Sequence, residues 1–67
     1  MSVAKITEIS ASSSESFDDA IKVGIARANE TLQNITGAWV ESQKLDIADG
    51  KVVQYRVLMK VTFILKD

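Results

Sequence analysis

The chain has 67 residues, a formal charge of -1 from eight Lys and Arg against nine Asp and Glu, and neither cysteine nor histidine. A chain this short holds one domain near the lower limit for independent folding, because it buries only about 60% of the surface it exposes when unfolded. Disulfides and Cys/His zinc sites are excluded as staples, which leaves oligomerisation.

The basic residues are scattered and form no nucleic-acid footprint, and no apolar run approaches the roughly 20 residues of a membrane span. Neither nucleic acid nor membrane is therefore expected as a partner. "MSVAKITEIS" has too few consecutive apolar residues for a signal peptide, so a cytoplasmic location is the default expectation.

In chain order, "SVAKITEIS" (2–10) is rich in β-branched residues and predicts a strand. Ile6 and Ile9 fall on opposite faces of it, which predicts a bulge or a short edge strand. "SASSSES" predicts a polar connector carrying two capping boxes, Ser12 with Glu15 and Ser16 with Asp19. Phe17, Ile21, Gly24, Ala28, Leu32 and Ile35 recur every three or four residues and predict a helix from Ser16 to Ile35 with one buried face. Gly24 lies on that face and costs about 1 kcal/mol of helix stability relative to Ala. It is either a tolerated glycine or one that lets a neighbouring element come close.

"GAWVESQKLDI" and "KVVQYRVLMKVTFILKD" predict two strands joined by a hairpin at Asp49-Gly50, where both residues tolerate positive φ. On the last strand Val53, Tyr55, Val57, Met59, Val61, Phe63 and Leu65 point toward the helix. Gln54, Arg56, Lys60, Thr62 and Lys66 point away, with Val52, Leu58 and Ile64 as apolar exceptions. The fold class is α+β: a single domain over 1–67, β-α-β-β, with a three-stranded antiparallel sheet packed on one helix and the last strand at its centre.

Lengths then imply an assembly. The last strand, Lys51 to Lys66, would extend about 50 Å at roughly 3.3 Å per residue, while a helix from Ser16 to Ile35 covers about 30 Å. A compact globule of this size has a radius of gyration near 11 Å, so the hairpin must bend or project with its apolar face bare. A closed symmetric homo-oligomer would cover it.

With these elements in place the sequence resembles the dodecin family, from "VAKITEISASSSESFDDAIKVGIARANETLQNI" to "GKVVQYRVLMKVTFIL". The carriers are the element order, the Ser-rich turn into "SFDDAI", the "ARA" in mid-helix and the final "YRVLMKVTFIL". The resemblance implies a hollow homododecamer built from trimers and a flavin, of riboflavin or FMN type, bound between subunits. Flavin-binding members stack the ring on a tryptophan just after the helix and hydrogen-bond its edge with a glutamine after the aromatic of the last strand. An ungapped alignment puts Gly37 and Arg56 at those two positions, which is closer to the calcium dodecin branch.

Trp39 lies one pleat beyond Gly37 on the same side, so an indole platform remains within reach of the pocket. The candidate binding residues are therefore Gly37, Trp39, Gln54, Arg56 and Asp46. Arg56 offers a planar fork of donors to an anionic or carbonyl group. Trp39 also reads as interface packing, and Arg56 as a cross-strand partner of Glu41 or Asp46. Glu15, Asp18 and Asp19 at the helix start suit either a hard cation such as calcium or the helix dipole. Carboxylates such as Asp46 and Asp49, multiplied at symmetry axes, are a further route to a cation site. One chain does not by itself define the residues of such a site. Ser12 to Ser14 have no histidine to act as a base and no phosphate loop is present, so no enzyme activity is expected. The leading function is a small-molecule storage shell, and the other a non-flavin shell holding cations or anions at its axes.

Overall fold

The computed structural model describes residues 3–65; Ser2 and Lys66, both placed in strands by the sequence, lie outside them. The elements are β1 (Val3–Ser13), α1 (Phe17–Ala28), β2 (Ile35–Ala48) and β3 (Lys51–Leu65), in one antiparallel sheet of order β1-β3-β2. The predicted β-α-β-β order, the central last strand and the edge position of the first are all present.

The first strand is longer than expected and has no bulge. Its register with β3 runs unbroken from Val3↔Leu65 to Ser13↔Tyr55. The serines that read as connector alternate instead. Ala11 packs against the core and Ser13 is buried, while Ser10 and Ser12 take the opposite face. Ile6 stands on that opposite face too and is exposed.

Ser16 caps α1, its Oγ accepting from the Asp19 N–H at 2.9 Å. The Ser12–Glu15 box does not form, because Ser12 is still paired in the strand. The Glu15 N–H donates to Ser13 Oγ (2.9 Å), and the Ser13 hydroxyl donates to Asp19 Oδ2 (2.6 Å), tying the strand end to the first helical turn. The helix also stops short of the predicted Ile35. Leu32 N–H turns back to the Ala28 carbonyl at 2.8 Å, Thr31 donates to the same carbonyl, and Asn34 takes φ 63°. Asn and Thr side chains compete for backbone groups and weaken helices, and Ile35 is drawn into the sheet opposite Phe63.

Ala20, Val57 and Met59 form the core, packed by Ile9, Ala11, Phe17, Ile21 and Ile25, with Phe17 edge-on to Tyr55 at 5.2 Å. Gly24 is the close approach that its position suggested. A Cβ there would lie 2.8 Å from both Ala11 Cβ and Met59 Cε. Asp49 and Gly50 turn the hairpin with φ of 52° and 74°.

The twelve residues of α1 span about 18 Å, against a molecule 52 Å long. The mismatch is larger than the sequence implied, and the radius of gyration is 13.8 Å rather than the compact value. Ile47, Val52 and Val53 on the projecting hairpin, and Val3 and Leu65 at the other end, remain exposed.

Gly24→Ala is expected to destabilise the protein by about 1–2 kcal/mol, because overpacking outweighs the helix propensity gained. Urea unfolding at fixed protein concentration measures this, and a midpoint raised by the substitution would refute the close-approach argument. Ser16→Ala should cost about 1 kcal/mol while Ser12→Ala stays within about 0.5 kcal/mol. Equal losses at the two serines in the same assay would contradict the single cap.

Candidate functional site

The helix occupies one face of the sheet, and the candidate residues gather on the other. Residues directly opposite in an antiparallel pair share a face, so the register assigns each side chain. Val57 and Met59 point to the helix; Gln54, Arg56, Leu58, Lys60 and Thr62 therefore point away. Gly37 pairs with Thr62, Trp39 with Lys60, Ser42 with Leu58, Lys44 with Arg56, and Asp46 with Gln54. All five sequence-derived candidates lie on this helix-free face.

A register shift between Val40 and Ser42 makes that possible. Trp39 is odd-numbered and Asp46 even-numbered, so a regular strand would send them to opposite faces. The extra residue at Glu41 restores the match. Two further shifts fall between Ile35 and Gly37 and between Asp46 and Ile47. The second places Val53 in an irregular stretch rather than in the strict alternation expected of it.

Sharing a face does not bring the five together. Gly37 and Trp39 sit opposite Thr62 and Lys60, while Asp46, Gln54 and Arg56 form a separate group nearer the hairpin. Between Lys60, the neighbour of Trp39, and Arg56 there is about 13 Å of strand at roughly 3.3 Å per residue. Trp39 is 57% exposed and so open to a flat partner. Gly37 beside it is bordered by empty space, with nothing within 4 Å of where a Cβ would stand.

The Arg56 Nε–H donates to Asp46 Oδ2 at 2.6 Å, which selects Asp46 over Glu41 as its partner. Glu41 instead meets Lys60 at 3.2 Å. These pairs are partly exposed and contribute about 0–1 kcal/mol each, so their effect is to aim side chains more than to stabilise. Lys44, Ser42 and Ser10 border the Arg56 group around a depression of about 210 Å³. Sequence reading did not single them out: the parity of Ser42 and Lys44 depends on the Glu41 bulge, and Ser10 is brought beside them only by the pairing of β1 with β3. The only signal was the charge sequence Glu41, Lys44, Asp46, which changes parity midway.

At the helix start Asp18 pairs with Lys22 at 3.3 Å, and Asp19 holds Ser13. Among the described residues no three acidic side chains converge as a cation site, and no helix is long and apolar enough to cross a membrane.

Residues 3–66 match the family profile described as dodecin. No curated protein matches the chain in sequence. Among solved structures, the dodecin from Streptomyces davaonensis superposes with a TM-score of 0.95 at 35% identity, covering 98% of this chain and 97% of that one. An arginine-to-alanine mutant of the Thermus thermophilus dodecin also gives 0.95, at 30% identity and 100% coverage of both chains. The calcium-chelating immunodominant antigen of Mycobacterium tuberculosis, calcium dodecin, gives 0.83 at 28% identity, covering 96% of this chain and 91% of that one. A profile spanning almost every residue, joined to a matching fold in a 35% identical relative, places the chain in the dodecin family.

Proposed function

We propose that the chain assembles as a hollow homododecamer that stores a small aromatic molecule of flavin type, riboflavin or FMN, in pockets between subunits, without catalysing a reaction. The observation that carries this reading is the separation of two complementary stations on one exposed face. An indole platform with open space at Gly37 stands at one, and a guanidinium held by Asp46 beside Gln54 at the other.

For one ring to be stacked by Trp39 and met at its edge by Arg56, the two come from different copies. Stacking supplies apolar contact and removes water, while the Arg56 fork answers a carbonyl or anionic edge. The free space at Gly37, where flavin-binding dodecins carry tryptophan, makes room for a ring displaced by one pleat toward Trp39. Assembly also buries the apolar surface that a lone chain leaves bare beyond the ends of the helix, at Val3 and Leu65 and at Leu45, Ile47 and Val52.

The kinship with a calcium dodecin supports a second reading, a shell that holds cations. Within one chain four of the acidic groups count against it: Asp18, Glu41 and Asp46 are each paired with a cation, and Asp19 accepts from Ser13. A calcium site would have to be assembled from several copies at a symmetry axis.

The expected outcome is that riboflavin or FMN fluorescence is quenched by micromolar protein, and that Trp39→Ala abolishes the quenching with the particle mass unchanged. Flavin that stays bright throughout the titration rules out the flavin reading. Co-expressing the Trp39→Ala and Arg56→Ala chains gives the sharper result. Each alone fails to quench, while the mixed particle recovers about a quarter of the sites, the share in which random assembly unites an intact Trp39 with an intact Arg56 of another copy. A mixed particle with no recovery would mean that both groups act within one chain.

A further inference from the structure

The Lys44–Arg56 pair is arranged in a way that strand stability does not explain. Direct cross-strand neighbours of like charge are unfavourable, and a pairing chosen for stability would put a carboxylate opposite Arg56. Lys44 stands there instead, and Asp46 reaches Arg56 on the diagonal from its own place opposite Gln54. That one carboxylate serves two cations, 2.6 Å from Arg56 Nε and 4.0 Å from Lys44 Nζ. The second distance is too long for a hydrogen bond. The local group therefore keeps a net positive charge, with both cationic side chains accessible to solvent.

Hydroxyls flank these cations on both sides. The register lines up Ser12, Arg56 and Lys44 across the sheet in one row, and Ser10, Leu58 and Ser42 in the next. Ser10, Ser42, Lys44 and Arg56 line the depression of about 210 Å³. Among the described residues, neither serine hydroxyl is engaged, and the Nη donors of Arg56 are taken by no other group. The remaining acids of this face lie farther along it. Glu41 is held by Lys60, and Glu8 is opposite the same lysine.

We propose that Lys44, Arg56, Ser10 and Ser42 form an oxyanion site of phosphate-monoester class on the helix-free face. A planar fork, an ammonium and two hydroxyls supply convergent donors to several oxygens of one tetrahedral anion, and the charge-assisted bonds carry most of the affinity. Asp46 orients the guanidinium when the site is empty and competes with the anion for it. The site shares Arg56 with the flavin reading but uses none of the stacking surface at Trp39, so its ligand is either free orthophosphate, which would compete with a ring edge for that guanidinium, or the phosphate of a nucleotide whose ring is stacked on another copy.

Equilibrium dialysis of the assembled protein against radiolabelled orthophosphate, with chloride holding the ionic strength constant, tests this without any flavin. Saturable binding is expected, weakened about tenfold by Lys44→Met through loss of one charge-assisted bond, and strengthened by Asp46→Asn as the competing carboxylate is removed. A group acting only as a strand-face ion pair would not give opposite effects in the two variants. Binding that is absent, unsaturable, or indifferent to Lys44→Met overturns the proposal.

A parallel titration with riboflavin and FMN separates the sources. A preference for FMN that Lys44→Met removes assigns the anion to a nucleotide, and orthophosphate binding with no such preference assigns it to the free ion. Quenching of both flavins without orthophosphate binding would overturn this site while leaving the flavin reading in place.

Discussion

The close contact of α1 with the sheet at Gly24 fixes how much of the molecule one helix can cover. Ala11 and Met59 come so near the helix backbone that no side chain fits between them, and the buried core concentrates around Ala20, Val57 and Met59. Tight seating of a twelve-residue helix leaves the two ends of a 52 Å sheet without apolar cover. Because the chain has no cysteine and no histidine, neither a disulfide nor a Cys/His zinc site can compensate. The structure thus combines a small, well-packed centre with extremities that need neighbours.

The same geometry divides labour between the faces of the sheet. Apolar residues that meet the helix use up the inward face near the centre, so polar chemistry is confined to the outward face, where Trp39, Lys44, Asp46, Gln54 and Arg56 stand. The inserted residue at Glu41 is what lets β2 contribute on both sides of the bulge, since a strand of strict period two would hide either the indole or the carboxylate under the helix. Its carboxylate is drawn to Lys60, so the bulge residue also satisfies the lysine beside the indole.

How far the sequence discloses this depends on whether a feature is periodic or pairwise. The alternation of β3, the Asp49-Gly50 turn and the Ser16 cap are local and periodic, and each is visible in the residues themselves. Leu32 and Ile35 continue the helical period but leave the helix, because Asn29, Thr31 and Asn34 favour local turns and the sheet competes for Ile35. Ser10 to Ser13 look like connector by composition, yet tertiary pairing with Arg56 and Leu58 makes them strand. For the candidate site, five residues could be named from the chain, but neither their division into two groups nor the part of Lys44, Ser10 and Ser42 could be, since both depend on the cross-strand register.

A ligand that touches Trp39 of one copy and Arg56 of another, as proposed, would be linked to assembly by mass action. It binds only where two copies meet, so it stabilises the contact by an amount that grows with the logarithm of its concentration over its dissociation constant. A hundredfold excess over that constant corresponds to about 2.7 kcal/mol, comparable to burying one or two of the apolar side chains that the lone chain leaves bare. The converse holds as well. An assembly made firm by apolar contacts at the extremities holds both stations in place before the ligand arrives, and binding then carries less of the ordering cost. On the proposed reading, storage and shell stability are two readings of one free energy, and a change at an exposed apolar extremity that touches no ligand is transmitted to affinity through the assembly.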